Sequence, residues 1–407
     1  MSVRPNVGFD LTKKRIAIVS SYDTSCGNAS FSDVLIRHIN LTSEGWQAFP
    51  VTLELLLTQN MGRREVAAAD QHIREIASQV RDFDAVNIQF EAGLLGLLPT
   101  HILRRLNILL SANPNTFVTF HSPRVMTNFS PRKAAIRFAI RGRLIKALKS
   151  ELTFHRVNFD VRMNRKILAF IKRRKTPVIV HTLRSQMILT SIYDVRKVEV
   201  HPIVMSPGNQ TAENRDTVLQ NLGLDPRKEY VGLFGFISPY KGHLETLMAL
   251  RHQEMSVNLI VAGRIHPQSL GNKDAVKYLR TLQKFVASAP ELHERVHFVG
   301  ELDDDSFTSL IAAIDCCILP YHEVGQDGSG IASLCFENGK RIIASHSRAF
   351  DELERLVPEY SSLRFDVENS LELSSQLTRA LRLQPQKRTS KVYTLESQTS
   401  LYLKLAD

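Results

Sequence analysis

Short apolar runs and longer amphipathic stretches alternate along this chain, stop in a polar stretch, and then begin again. Strands are expected at Ile16–Ser21, Ala85–Phe90, Thr116–His121, Val178–His181 and Val198–Val204. Between them Phe31–Ile39, Glu65–Arg81 and Pro99–Leu110 carry a helical period. Pro207–Arg227 is polar and bears Gly, Pro and Asn, as a linker would. Beyond it strands are expected at Tyr230–Ile237, Asn258–Gly263, Val296–Val299, Cys316–Pro320 and Arg341–Ala344, with a helix over His243–Leu250. Strand-helix alternation implies mainly parallel sheets covered on both faces. The expected architecture is therefore α/β, with two doubly wound, Rossmann-like domains facing each other across a cleft. Residues 1–205 and 206–385 form the two domains, and 386–407 a helical tail that can pack back on the N-terminal one.

At 407 residues, two domains are the default for a chain of this length. Hydrophobic residues make up 43% and no apolar stretch is long enough to span a bilayer. The N-terminus has no apolar run of the kind a signal peptide needs. Cys26, Cys316, Cys317 and Cys335 show no metal-ligand spacing. A cytoplasmic protein is expected, with peripheral attachment to the inner face of the membrane as an option. The net charge of +11 is local: sixteen basic residues fall between Arg124 and Lys175, against only Glu151 and Asp160. Ile136, Ile140, Leu144 and Leu148 recur there every four residues beside Arg137, Arg141 and Lys146, an amphipathic stripe. Three readings follow: a solvated face, a nucleic-acid surface, or a surface for an anionic membrane or acidic acceptor. No nucleic-acid motif or aromatic platform accompanies the charge, so no nucleic acid is expected.

One stretch carries chemistry on its own terms. Gly325–Ser345 begins with small residues, Gly325, Asp327, Gly328, Ser329 and Gly330, then a helical run over Ile331–Asn338, and ends in a strand. Glycines before a helix let backbone N–H groups converge, and the helix dipole favours an anion there. The loop after the first strand holds Gly27 but lacks the GxGxxG spacing, which argues against a nicotinamide enzyme. His121 and Glu91 fall at strand ends, where ligands of open parallel sheets sit. HERVH at His293–His297 matches a zinc pattern by letter, but His297 falls in an expected strand, and that motif works on a helix. Asp303–Asp305 reads as a helix cap.

Seven segments in order resemble the retaining, family-4-type glycosyltransferases of the GT-B fold. They are RIAIVSSYDTSCGNASFSD, VNIQFEAGLLG, FVTFHSP, VGLFGFISPYKG, NLIVAG, VHFVGELDDDSFTSLIAAIDCCILPYHE and GSGIASLCFENGKRIIAS. The resemblance implies a hexosyltransferase-like enzyme of polysaccharide or glycoconjugate biosynthesis. It would move sugar from a nucleotide-sugar donor to a glycan or lipid-linked acceptor, with no cofactor and no metal. It further implies that His121 and Lys241 are catalytic. Gly27, Asn28, Gly235, Arg264, Val299, Leu302, Glu323, Gln326, Ser329, Gly330 and Ile331 would join Lys241 around the donor. Glu91, Arg124, Arg137 and Arg141 would lie on the acceptor or membrane side. A lysine and a helix N-terminus can together neutralise a leaving diphosphate.

The chain departs from that family's Glu-x7-Glu pattern: aligned on Gly339, its two positions are Gln326 and Leu334. Glu323 and Glu337 stand nearby as substitutes. Phe236 replaces the arginine usual five residues before the lysine, and Arg264 is the candidate replacement cation. A non-catalytic partner or scaffold protein of the same fold is the alternative reading.

Overall fold

The computed structural model describes residues 12–22, 27–123, 131–149, 159–206, 213–266, 273–356, 363–383 and 394–407. The chain divides into two compact units, one of residues 1–201 with Glu396–Asp407, the other of Pro202–Leu395.

The first unit holds a parallel sheet of six strands in the order β2-β1-β3-β4-β5-β6. These are β1 Lys14–Ser20, β2 Trp46–Thr52, β3 Ala85–Phe90, β4 Thr116–Phe120, β5 Val178–Val180 and β6 Val198–Val200. Every residue of β3, β4 and β5 is buried, the polar Asn87, Gln89 and Thr119 among them, because the sheet is covered on both faces. β2 escaped the sequence pattern because it contains Pro50 and Gln47; Pro50 is tolerated since β2 is the edge strand. β6 stops at Val200, short of the expected Val204, because His201 and Pro202 follow. The helix after β1 begins at Gly27, four residues before the expected start.

Helices Gly27–Thr42, Arg63–Gln79, Pro99–Ala112 and Phe159–Arg174 cover this sheet. Ile73, Ile76, Leu106, Leu109, Ile167 and Ile171 join Val86, Val118 and Val178 in one core. Burying each such side chain stabilises the fold by about 1.5–3 kcal/mol. Arg105 is wholly buried, bonded to Asp70 at 2.7 Å and to the carbonyls of Thr58 and Leu95. Its charge is tolerated because it is both paired and hydrogen-bonded. The last helix, Leu395–Ala406, is tied to this unit: the Tyr402 hydroxyl lies 2.6 Å from Thr119 Oγ1 and Thr399 is 2.8 Å from His38.

The second unit repeats the plan with the order β12-β11-β10-β7-β8-β9, again all parallel. Its strands are β7 Glu229–Phe234, β8 Val257–Ala262, β9 Val296–Gly300, β10 Cys316–Leu319, β11 Arg341–Ser345 and β12 Arg364–Phe365. β12, two residues long, left no sequence signal. Arg215–Asn221, within the expected linker, is instead a helix capped by Asn214, with Val218 and Leu219 in the core. Numbered from β7, the order is that of dinucleotide-binding folds, in which ligands sit where the winding reverses. Here that point lies between β7 and β10, so the loops after those two strands are where a site is expected.

Candidate functional site

β7 ends at Phe234, and the chain turns through Gly235 at a φ of 97°. A one-turn helix, Pro239–Lys241, and Gly242 in the left-handed region lead into the helix His243–Leu250. A Cβ on Gly242 would fall on the Pro320 carbonyl, and one on Gly263 would fall on the Gly235 carbonyl. Side chains are thus excluded where the loops after β7, β8 and β10 press together.

This turn buries Lys241, leaving 5% of it exposed. Its Nζ lies 3.7 Å from the centre of the Tyr321 ring and 5.3 Å from that of Tyr240. Among the described residues it has no hydrogen-bond or carboxylate partner. Desolvation lowers its pKa to about 7, against a small opposing effect of Cys335. An amine held this way gains strongly from an arriving anion. Tyr321, just after β10, bonds through its hydroxyl to Ser329 Oγ at 3.2 Å. Ser329 in turn accepts from the Ala332 amide at 3.2 Å, capping the helix Gly330–Glu337. A Cβ on Gly235 would stand 3.5 Å from Ile331 and 3.9 Å from Lys241 Nζ. The structure therefore brings Gly235, Lys241, Ser329, Gly330 and Ile331 together, a buried amine beside a helix N-terminus. Tyr321, which sequence reasoning passed over, joins the two; its signal was an aromatic directly after an apolar strand.

Other expected donor residues already have contacts within the unit. Arg264, at the end of β8, bonds Glu301 at 2.9 Å, so its charge is already paired. Val299 and Leu302 pack on the second core at the end of β9. The Glu323 carboxylate accepts from the Gly325 and Arg348 amides at 2.6 and 2.7 Å, holding the loop after β10. Gln326 donates to the Gly328 carbonyl, and Leu334 packs on the core. Glu337 is buried, accepting from Ser333 at 2.5 Å and from the Met205 amide at 3.1 Å. Both substitute carboxylates hold the unit's own structure. Asp303 caps its helix by accepting from the Ser306 amide at 2.8 Å. His293 ends a short helix while His297 lies in β9, so the two do not share a helix face.

In the first unit, Gly27 opens its helix, and a Cβ there would meet nothing within 4 Å; the Asn28 carbonyl accepts from Ser32 Oγ. Glu91 stands at the start of the short helix Ala92–Leu95 without capping it. His121 directly follows β4 and is 8% exposed. Its Nε2 lies 2.7 Å from the Gln89 side-chain amide and its Nδ1 3.0 Å from His181 Nε2. His181 Nδ1 reaches the His201 carbonyl at 2.9 Å, and Phe31 sets its edge against both rings. Burial pushes His121 well below its ordinary value and His181 to about 4. His181 and Gln89 were missed, although VIVHT repeats the strand-then-histidine pattern of VTFHS.

Arg124 lies outside the described residues. Arg137 and Arg141 are exposed. The helix Pro131–Ile140 ends before Gly142, whose φ is 69°, so the expected stripe is not one continuous helix. Its four apolar residues are solvent-exposed, up to 81% at Ile140. Among the described residues no helix is long and apolar enough to cross a membrane.

No protein-family model matches the sequence, and no curated protein matches it. Solved structures do. HepE of Anabaena in complex with UDP-glucose superposes with a TM-score of 0.59 at 14% identity, over 97% of this chain and 95% of that one. Sucrose-phosphate synthase of Thermosynechococcus elongatus gives 0.68 at 15%, over 97% and 98%. A glycosyltransferase of Rickettsia africae gives 0.64 at 12%, over 97% and 98%. The fold is of the GT-B type. At these identities the GT-B likeness concerns the fold, and the sites above stand on their own geometry.

Proposed function

We propose that this GT-B protein is a glycosyltransferase that binds the diphosphate of a nucleotide sugar at Lys241 and the Ser329–Ile331 helix start. The observation that carries this reading is a buried amine without a partner among the described residues, set beside a capped helix N-terminus. Cleaving a sugar–nucleotide bond puts negative charge on the leaving diphosphate, and these two groups stabilise it where it develops. Because they supply that charge, the transfer is metal-independent and needs no cofactor. It runs with retention, the acceptor attacking on the side the diphosphate leaves. HepE with UDP-glucose, a neighbour in fold, supports a nucleotide sugar as donor.

The acceptor is a glycan or a lipid-linked sugar, met at the cytoplasmic face of a membrane. The exposed basic and apolar residues of 136–149 support this, since arginines and lysines draw the surface to anionic headgroups and isoleucines and leucines enter them.

A second reading is favoured by the pairing of Glu323 and Glu337 inside their own unit and by Gln326 and Leu334 in place of carboxylates. In it the protein keeps the fold as a non-catalytic partner or scaffold. Thermal stabilisation by UDP, GDP, ADP, CDP and dTDP, with Lys241→Ala as control, separates the two. One nucleotide acting selectively, and only with Lys241 present, supports donor binding; no shift with any supports the scaffold.

A further inference from the structure

In the first unit β4, β5 and β6 are each followed directly by a buried histidine: His121, His181 and His201. Gln89 lies one residue from the end of neighbouring β3. Side-chain hydrogen bonds run across these four strand ends, and the donor in each can be assigned.

The His201 carbonyl oxygen, 2.9 Å from His181 Nδ1, can only accept, so His181 carries a proton on Nδ1. In the neutral ring its Nε2 is bare, and His121 Nδ1, 3.0 Å away, must donate to it. His121 Nε2 is then bare too, and the Gln89 amide 2.7 Å away must present its NH2. The oxygen and nitrogen of an amide share one outline, so the hydrogen bonds decide which is which. Turned this way, Gln89 places its oxygen 2.7 Å from the Asn87 amide, which must donate in turn. Asn87 accepts from Thr119 at 3.1 Å, and Thr119 accepts from the Tyr402 hydroxyl at 2.6 Å. Every donor now points one way.

The opposite setting of Gln89 makes His121 Nε2 a donor and leaves two bare nitrogens face to face, unless one ring takes a second proton. That would place a full charge among groups no more than 8% exposed. Among the described residues no carboxylate bonds either ring, and an uncompensated buried ion costs several kcal/mol. Turning two amides gives up only the Gln89–Tyr402 contact at 3.3 Å, longer than any bond of the chain. The uncharged arrangement wins.

We propose that His121 and His181 are positioning residues, an uncharged pair in a one-way chain from Tyr402 through Thr119, Asn87 and Gln89 to the His201 carbonyl. Both ring nitrogens of His121 are spent inside the protein. The pair therefore locks the ends of β4 and β5, at the edge where parallel sheets receive ligands, and transfers no proton. This rests on the proposed transfer only in placing a substrate at that edge.

The test is 15N NMR of the full chain labelled at histidine. The two rings are identified from His121→Gln and His181→Gln or, should these not fold, from contact with Phe31. Both should show a protonated Nδ1 and a bare Nε2, unchanged between about pH 5 and 8, where a free histidine titrates. A proton on His121 Nε2, a doubly protonated ring, or titration in that range overturns the proposal. These signals are read whether or not any sugar nucleotide is bound, so failure here is distinct from failure of the transferase reading. Once a donor is known, His181→Gln should lower kcat without moving the pH profile. Loss of a limb of the profile would show proton transfer and overturn the positioning role.

Discussion

The two units close the carboxyl ends of their sheets in opposite ways. In the second, Lys241 is buried with an aromatic ring for company and no anion among the described residues. In the first, His121 is equally buried, yet both its ring nitrogens are bonded within the unit. Burial alone does not mark a functional group. An amine left short of a partner is strained by desolvation until a ligand supplies the charge, whereas a satisfied chain of hydrogen bonds is scaffold.

The largest effect that sharpens this contrast is on turnover. Lys241→Ala should lower kcat about a hundred- to a thousand-fold, the usual cost of one lost charge-stabilising group. Steady-state kinetics with the identified donor would show it, and a loss below tenfold would break the contrast.

Stability should move in opposite directions in the two units. Thr119→Val leaves Asn87 and Tyr402 short of a buried partner and should cost about 1–3 kcal/mol in denaturant unfolding. Lys241→Met removes a poorly solvated amine and should raise the stability of the ligand-free protein at neutral pH. The sign of the pH dependence follows. Lys241 is held at about 7 when folded and sits at its ordinary value of 10.5 when unfolded. The unfolded chain therefore binds more protons between those values, and stability contributed by this group increases as pH rises through that window. Lys241→Met should flatten the rise; an equal slope in both proteins would show that Lys241 is not buried as an amine.

Smaller effects test the supporting parts. Ser329→Ala removes a helix cap and the Tyr321 bond, and should cost about 1 kcal/mol along with weaker nucleotide binding. Arg137→Glu with Arg141→Glu should reduce sedimentation with anionic vesicles and leave nucleotide-induced stabilisation unchanged. Vesicle binding equal to wild type would remove the membrane from the account.

Much of the fold was legible because parallel strands covered on both faces are rich in apolar residues. Ala85–Phe90 was read with its observed ends although Asn87 and Gln89 interrupt its apolar residues. Trp46–Thr52 was not, since an edge strand can carry Pro50 and Gln47, and Arg364–Phe365 is too short for any period. At the candidate site, the Ser329–Ile331 turn was visible as a glycine-bearing loop before a helix, whereas Lys241 entered only through the family resemblance. Tyr321 and His181 were not visible, because Lys241 and His121, which their rings meet, lie far along the chain and only the sheet order brings them together. Glu337 shows the reverse error: one turn from the expected position it looked available, but Ser333 and the Met205 amide hold its carboxylate.

The central claim is that Lys241 and the helix start at Gly330 await the diphosphate of a nucleotide. The most direct measurement is the melting temperature with and without nucleoside diphosphates, for wild type and Lys241→Ala. Ligand bound only to the folded state raises that temperature, and at a hundred times its Kd stabilises by about 2.7 kcal/mol. The account predicts a selective rise with one nucleotide that disappears in Lys241→Ala. No rise with any of them, or a rise that survives the substitution, would contradict it.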